Sequence, residues 1–168
     1  FIHGVMNTDN TAVSGETIDY GPCAFMDSFA AGKVFSSIDA RGRYAYGNQP
    51  EIIVWNLAQL GSSLLPLMQG GQDAAAEAAT RLLQGYGDLY RAEWLRLGRA
   101  KLGLAGAEAG DEALIHGLLV AMEEGRADFT NTFRGLTDGT ARDWFTDPAQ
   151  FDGWKPAWDA RRARGADD

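Results

Sequence analysis

Three residues near the start of the chain have side chains suited to binding a metal-bound nucleotide: Asp9, Asn10 and Asp19. Transfer of a group from a nucleotide needs a divalent cation to neutralise phosphate charge, and Mg²⁺ prefers hard oxygen ligands. The Asn10 amide and the Asp19 carboxylate offer such oxygens, whereas the Asp9 carboxylate can orient an acceptor hydroxyl and take its proton. Because a carboxylate is a weak base, we expect positioning and electrostatics to supply most of the rate.

The spacing of these residues resembles the catalytic loop of kinase-like phosphotransferases. In that loop an Asp follows a His by two residues, an Asn follows the same His by seven, and an Asp-Phe-Gly comes later. His3 and Asn10 have this spacing, and Asp19-Tyr20-Gly21 stands where Asp-Phe-Gly would. The usual base position holds Val5, which cannot take a proton, and the carboxylate of Asp9 lies beside the Asn instead.

The segments HGVMNTDN and TIDYGP, followed by GRYAYGNQP and WNLAQL, resemble the selenoprotein O family, the bacterial YdiU-type proteins. These are kinase-fold proteins that transfer AMP, rather than phosphate, to hydroxyl side chains of proteins. The resemblance is densest over residues 1–60 and continues more loosely to about residue 159. It implies that Asp9 accepts the proton, that Asn10 and Asp19 bind Mg²⁺ or Mn²⁺, and that Asp19 also lies against the nucleotide. It further implies ATP and proteins bearing Ser, Thr or Tyr hydroxyls as substrates.

The family's nucleotide clamp has no counterpart in this sequence. In the family a smaller lobe precedes the catalytic loop and provides a glycine-rich loop and a phosphate-binding Lys. Here only two residues precede His3, and Lys33, Lys101 and Lys155 all lie downstream. The family's C-terminal redox motif is also missing. We therefore expect a C-terminal lobe of a larger protein, with the N-terminal lobe absent and the isolated chain inactive without it.

Length and composition limit the remaining possibilities. At 168 residues the chain has the length of one domain, so we predict a single kinase-like C-lobe over residues 1–168. The formal net charge of −8 argues against a nucleic-acid partner. It leaves nucleotide binding open, because a bound cation reverses the local sign of the field. No apolar run reaches the roughly 20 residues that span a bilayer, so no membrane partner is expected.

The chain has a single cysteine, Cys23. It can form no intrachain disulfide, which favours a reducing compartment, and we predict a cytoplasmic location. Its thiol is either redox-sensitive, beside the catalytic loop, or a small buried hydrophobe. The sequence leaves the oligomeric state open.

The expected fold is mainly α-helical with a small β-hairpin, and residues 1–50 carry the catalytic and metal-binding loops. Residues 2–6 and 17–18 are short, partly β-branched runs on either side of a Ser14-Gly15 turn. A hairpin of these runs would place Asn10 and Asp19 close together. That is the arrangement a shared metal ion requires.

Residues 51–168 carry apolar side chains at helical spacing and predict a helical scaffold. The expected helices cover about 51–68, 73–84 and 86–102, with others starting near 111, 129 and 147. Phe151, Trp154 and Trp158 lie on one face of the last helix, where we expect a core rather than a ligand cage. The basic cluster at 161–164 is expected to be a solvated tail.

Several side chains of the first fifty residues have alternative interpretations. Asn7 and its neighbours could be turn formers only, because Asn and Asp stabilise turns through their own backbones. An EF-hand loop is rejected, because Ala12 and Ile18 replace the required Gly and Glu. The imidazole of His3 is expected to bond the backbone in the core. For Arg41 and Arg43 three roles stay open: binding phosphate, holding an acidic group of the loop, or an ordinary surface position.

Two alternative functions remain open from the residues alone. An ordinary protein or small-molecule kinase needs the same kinds of groups, although Val5 at the usual base position counts against it. A non-catalytic helical binding module would leave the region around Asp9 vestigial. Magnesium-dependent binding of ATP separates such a module from both enzymes.

Overall fold

The computed structural model describes residues 2–16, 20–21 and 23–164 and is mainly helical, as the sequence predicts. Short 3₁₀ turns cover Thr8–Asn10, Tyr46–Asn48, Leu65–Leu67 and Ala141–Trp144. The α-helices are α1 (Gln49–Leu64), α2 (Gln72–Gln84), α3 (Tyr86–Leu102), α4 (Asp111–Glu124), α5 (Phe129–Asp138) and α6 (Pro148–Arg164).

Within the described residues, β-structure is limited to two isolated antiparallel bridges, His3 with Cys23 and Ser28 with Asp128. The predicted hairpin is not confirmed. Residues 2–6 form no strand beyond the first bridge, and residues 17–19, which would supply the second arm, lie outside the described part of the chain.

The chain divides into two compact units, and the division falls within α3. The first unit comprises Phe1–Phe25 and Gly32–Arg91, and the second comprises Met26–Ala31 and Ala92–Asp168. The expectation of one kinase-like lobe over 1–168, with catalytic loops up to residue 50, stays a prediction.

In the first unit α1 packs against α2. Pro50 lies in the first turn of α1, where its missing N–H costs nothing. The segment between the helices contains Gly70 and Gly71 at φ +94° and +86°, a backbone conformation that favours glycine. These glycines end the first helical segment where the sequence predicts its end.

The predicted apolar face of α1 is only partly buried. Ile52 is in the core, whereas the side chains of Leu57, Leu60 and Leu64 are each more than a third exposed. The rest of this apolar face is less buried because part of it lines a cavity.

In the second unit α4 packs against α6, and the aromatic residues of α6 form the core as predicted. Phe151, Trp154 and Trp158 are buried together with Leu118 and Met122 of α4. The indole N–H of Trp154 donates to the carbonyl oxygen of Leu114 at 2.9 Å, and that of Trp158 donates to the carbonyl oxygen of Leu102 at 2.8 Å. Burying these rings therefore leaves neither indole donor unpaired.

The expectation of a solvated basic tail at 161–164 is wrong for its first residue. Arg161 is only 3% exposed, and Asp111 at the start of α4 is fully buried. The Nε of Arg161 donates to Oδ1 of Asp111 at 2.7 Å, and its Nη2 donates to the carbonyl oxygen of Ala105 at 2.8 Å. Oδ2 of Asp111 also accepts from Nε of Arg99 at 2.6 Å and from the backbone N–H of Glu108 at 2.9 Å.

The hydrogen bonds to the Asp111 carboxylate keep it ionised. Burial alone would raise the pKa of this carboxyl, but the hydrogen bonds from Arg161, the Glu108 backbone and Arg99 outweigh it. Together they lower the pKa of Asp111 to about 2. Asp111 is thus ionised and buried, and it holds two arginines and the backbone of the 103–110 loop in place.

Candidate active site

His3 is buried and holds the start of the predicted catalytic loop, residues 3–10, through its backbone and its ring. Its N–H donates to Oε1 of Gln49 at the start of α1, at 2.9 Å. Its Nδ1 accepts a hydrogen bond from the N–H of Val5 at 3.2 Å. The prediction of a backbone-bonding core role for this imidazole is confirmed.

Asn10 ends a 3₁₀ turn that its own side chain helps to close. Its Nδ2 donates to the carbonyl oxygen of Val5 at 2.9 Å and to Oδ1 of Asn7 at 3.0 Å. Its backbone N–H donates to the Asn7 carbonyl oxygen at 3.1 Å. Asn10 is therefore a turn former, and whether it is only that stays open, because the turn uses the amide nitrogen and not the amide oxygen.

Asn56 of α1 holds the loop from the other side, and the sequence alone did not identify it. It is 4% exposed, and its Nδ2 donates to the carbonyl oxygen of Met6 at 3.0 Å and to Oγ1 of Thr11 at 2.8 Å. Its Oδ1 is buried with no hydrogen-bond partner among the described residues. The available signal was an Asn between the apolar run 52–55 and Leu57, where a buried polar residue needs a hydrogen-bond partner.

Asp9 lies in the same turn with its side chain exposed. Within the described part of the chain no hydrogen bond or ion pair engages its carboxylate, so it is accessible to a ligand. Asp19 falls outside the described residues, and its pairing with Asn10 stays a prediction. Among the described residues no group of three or more His, Cys, Asp or Glu side chains could hold a metal ion.

A cavity of about 940 Å³ lies between the catalytic loop and α1. Its polar side includes His3, Thr8 and Asn10, and its apolar side includes Trp55 and Leu60 of α1. Small-molecule sites are mostly apolar clefts of roughly 300–1,000 Å³ with a few placed polar groups. The cavity thus has the size and composition to bind a ligand that combines a flat apolar part with a charged part.

A second, smaller cavity of about 420 Å³ lies against another part of the same loop. Val5 and Asn7 line it, together with Arg41 and Arg43 of the segment that precedes α1. Cys23 is half-buried with a free thiol, and both interpretations of this thiol stay predictions.

Comparison with known proteins gives a consistent result over nearly the whole chain. The family model described as Protein adenylyltransferase SelO matches residues 1–160. Relatives named Protein nucleotidyltransferase YdiU are 58% identical in Cereibacter sphaeroides and 54% identical in Brevibacillus brevis. These alignments cover 99% and 100% of this chain but 36% and 34% of the relatives.

A further relative of the same name, from Ruegeria sp. strain TM1040, is 56% identical and aligns with 99% of this chain and 35% of its own length. The chain thus spans about a third of the length of the curated relatives it matches. No helix among the described residues is long and apolar enough to span a membrane.

Proposed function

Because the chain belongs to the SelO family of protein adenylyltransferases, we propose that the complete gene product transfers AMP from ATP to protein hydroxyls. The acceptors are the Ser, Thr or Tyr side chains of protein substrates. The chain described above is the part of a kinase-like C-terminal lobe that carries the catalytic loop, and it acts in the cytoplasm.

The observation that carries this proposal is the arrangement of Asp9 and Asn10. Asp9 is exposed and unengaged, whereas its neighbour Asn10 is held by two side-chain hydrogen bonds and lines the large cavity. Asp9 accepts the proton of the acceptor hydroxyl as that oxygen bonds to the α-phosphorus. The bond from the α-phosphorus to the bridging oxygen breaks, and pyrophosphate leaves with that electron pair.

A divalent cation, Mg²⁺ or Mn²⁺, fits the donor set of this loop. The amide nitrogen of Asn10 is occupied by Val5 and Asn7, which orients the amide and leaves its oxygen for a cation. Asp19 would be the second ligand and would also lie against the nucleotide. When bound, the cation would neutralise phosphate charge. The protein's own part is to fix the Asn10 amide and to keep the Asp9 carboxylate accessible.

The two alternative functions, an ordinary kinase and a non-catalytic binding module, are less well supported than AMP transfer. Val5 occupies the base position of an ordinary kinase and cannot take a proton. The relatives named above are nucleotidyltransferases, and they are 54–58% identical to this chain.

The test is the intact mass of the complete gene product after incubation with Mg-ATP, alongside Asp9→Ala. An AMP-sized gain that disappears in the variant is the expected result. A phosphate-sized gain would overturn the proposal in favour of a kinase. Omitting the metal, or replacing Mg²⁺ with Mn²⁺, tests the cation requirement in the same assay.

A further inference from the structure

Arg41 and Arg43 are two exposed cations that line the smaller cavity beside the catalytic loop. Within the described residues neither guanidinium forms an ion pair with a carboxylate. Asp39 lines the same cavity, so the charged residues of its lining carry an excess of one positive charge in a chain of net charge −8. Unpaired arginines at the edge of a cavity are well suited to bind a carboxylate or a phosphate.

The loop that carries the two arginines is rigidly built. The Asp39 carboxylate accepts hydrogen bonds from the backbone N–H groups of Arg43 and Tyr44, both at 2.8 Å. Gly42 lies between the arginines at φ +65°, and its carbonyl oxygen accepts from Nδ2 of Asn48 at 2.9 Å. Asp39 is thus used to close the loop, and the loop is organised before any ligand arrives.

The side chain of Arg43 is also oriented. Its guanidinium lies over the Trp55 ring at 4.6 Å and near the Tyr44 ring at 5.7 Å. Such stacking holds the planar group in place while leaving its N–H donors available. Arg41 has no comparable aromatic contact among the described residues.

Different residues of one loop line the two cavities. Thr8 and Asn10 line the large cavity, whereas Val5 and Asn7 line the smaller one. If the nucleotide occupies the cavity that contains the predicted metal ligand Asn10, the smaller cavity is left for the acceptor. Its volume of about 420 Å³ has room for one or two side chains.

We infer that Arg41 and Arg43 bind an acidic side chain of the protein substrate, close to the hydroxyl that receives AMP. This inference rests on the proposed function and specifies its substrate: a hydroxyl residue with Asp or Glu nearby in sequence. The two arginines are specificity-determining residues, and they take no part in the bond changes at phosphorus.

The test uses the complete gene product and fluorescent peptides with one Ser, Thr or Tyr flanked by Glu, Ala or Lys. Peptide binding is measured by fluorescence anisotropy, and AMP transfer is measured by mass. The wild type should bind and modify Glu peptides on the order of 10-fold better than Ala peptides, as a charge-assisted hydrogen bond provides. Arg41→Glu should abolish this preference and improve the Lys peptides.

Arg43→Gln is the second variant, because it removes the charge with less disturbance to the packing on Trp55. Arg81→Glu is the matched control. Arg81 lies on α2 in an exposed pair with Glu77 at 3.7 Å, and it does not line the cavity. The control should keep the wild-type preference for Glu peptides.

Three outcomes would overturn the inference: equal binding of Glu and Ala peptides by the wild type, a preference that survives in both cavity variants, or a change confined to the KM for ATP. The last outcome would assign the arginines to the nucleotide phosphates. Arginine-dependent binding of Glu peptides without any AMP transfer would support the inference and contradict the proposed function. AMP transfer without a preference for acidic peptides would support the proposed function and contradict the inference.

Discussion

Asp9 and Asp111 are both aspartates close to helical turns, yet their surroundings are opposite. Asp9 is exposed, and no partner engages its carboxylate within the described residues. Asp111 is fully buried and accepts hydrogen bonds from two arginines and a backbone N–H. The carboxylate that we propose meets a substrate is left accessible, whereas the one that stabilises the fold has its hydrogen-bond partners within the protein.

The neighbours of the two aspartates differ in the same way. Around Asp9, the side chains of Asn10 and Asn56 bond the backbone of the loop and shape it without touching the carboxylate. Around Asp111, the side chains bond the carboxylate itself. Catalysis and stability are therefore expected to respond to different substitutions.

The largest expected effect is on catalysis. In the complete gene product, Asp9→Asn should lower the rate of AMP transfer by about 10³-fold, because general-base catalysis contributes 10²–10⁴-fold. The midpoint of thermal unfolding should not change, because the side chain is exposed and unengaged. Transfer is followed by intact mass and unfolding by calorimetry. Full activity in the variant would show that another group takes the proton.

The corresponding change at the buried aspartate should act on stability. Asp111→Asn should lower the free energy of unfolding by about 3 kcal/mol, because it breaks the buried ion pairs with Arg99 and Arg161 and leaves Arg161 only the partly exposed Glu108 carboxylate at 3.2 Å. Urea unfolding of the complete gene product, monitored by tryptophan fluorescence, measures this loss. Below the unfolding transition the transfer rate should equal that of the wild type. A rate loss without a stability loss would contradict the contrast between the two aspartates.

Asn56→Leu should affect the site more than the fold. Loss of the bonds to Met6 and Thr11 should displace the catalytic loop and lower transfer by about 10²-fold. Stability should change little, because the substitution also removes the buried, unpaired Oδ1. The control is Ser62→Ala on the same helix, since the Ser62 hydroxyl is exposed and bonds only the Ala58 carbonyl oxygen. Equal rates in the two variants would show that Asn56 does not position the loop.

The smallest effect is a pH dependence. The pKa of Asp111 is lowered to about 2 in the folded protein, whereas an unfolded Asp titrates near its ordinary value. Below about pH 4 the unfolded state takes up the proton more readily, so the contribution of Asp111 is lost as the pH falls from about 4 to 2. It is fully present above that range. Stability measured against pH should therefore be flatter over this interval in Asp111→Asn than in the wild type.

The helical part of the fold could be predicted because its signals are local. Apolar spacing and glycines at 70–71 placed α2 and α3 to within a residue of their observed bounds. The Asp111–Arg161 pair could not be predicted, because its partners are 50 residues apart and the arginine resembles an ordinary tail residue. Sequence reasoning identified the charge but had no way to identify its partner.

The predicted hairpin shows a different limit. Short β-branched runs favour strands, but the backbone groups of residues 3–6 find partners in side chains. The N–H of His3 bonds Gln49, and the carbonyl oxygens of Val5 and Met6 accept from Asn10 and Asn56. For the site itself, Asn10 was predicted from motif spacing and Asp9 from its place beside Asn10 and from the family resemblance, and both roles stay predictions. No sequence motif indicates either the supporting role of Asn56 or the second cavity.

The Gln49 side chain accepts a hydrogen bond from the His3 N–H, and the Asn56 side chain donates one to the Met6 carbonyl oxygen, so the segment HGVMNTDN does not fix its own conformation. Its shape depends on two side chains more than 40 residues downstream. Grafting the eight residues onto another scaffold would transfer the reactive groups without the supports that arrange them. For the same reason, a genome search that scores only the octapeptide would count as active those chains in which the partners at 49 and 56 have been lost.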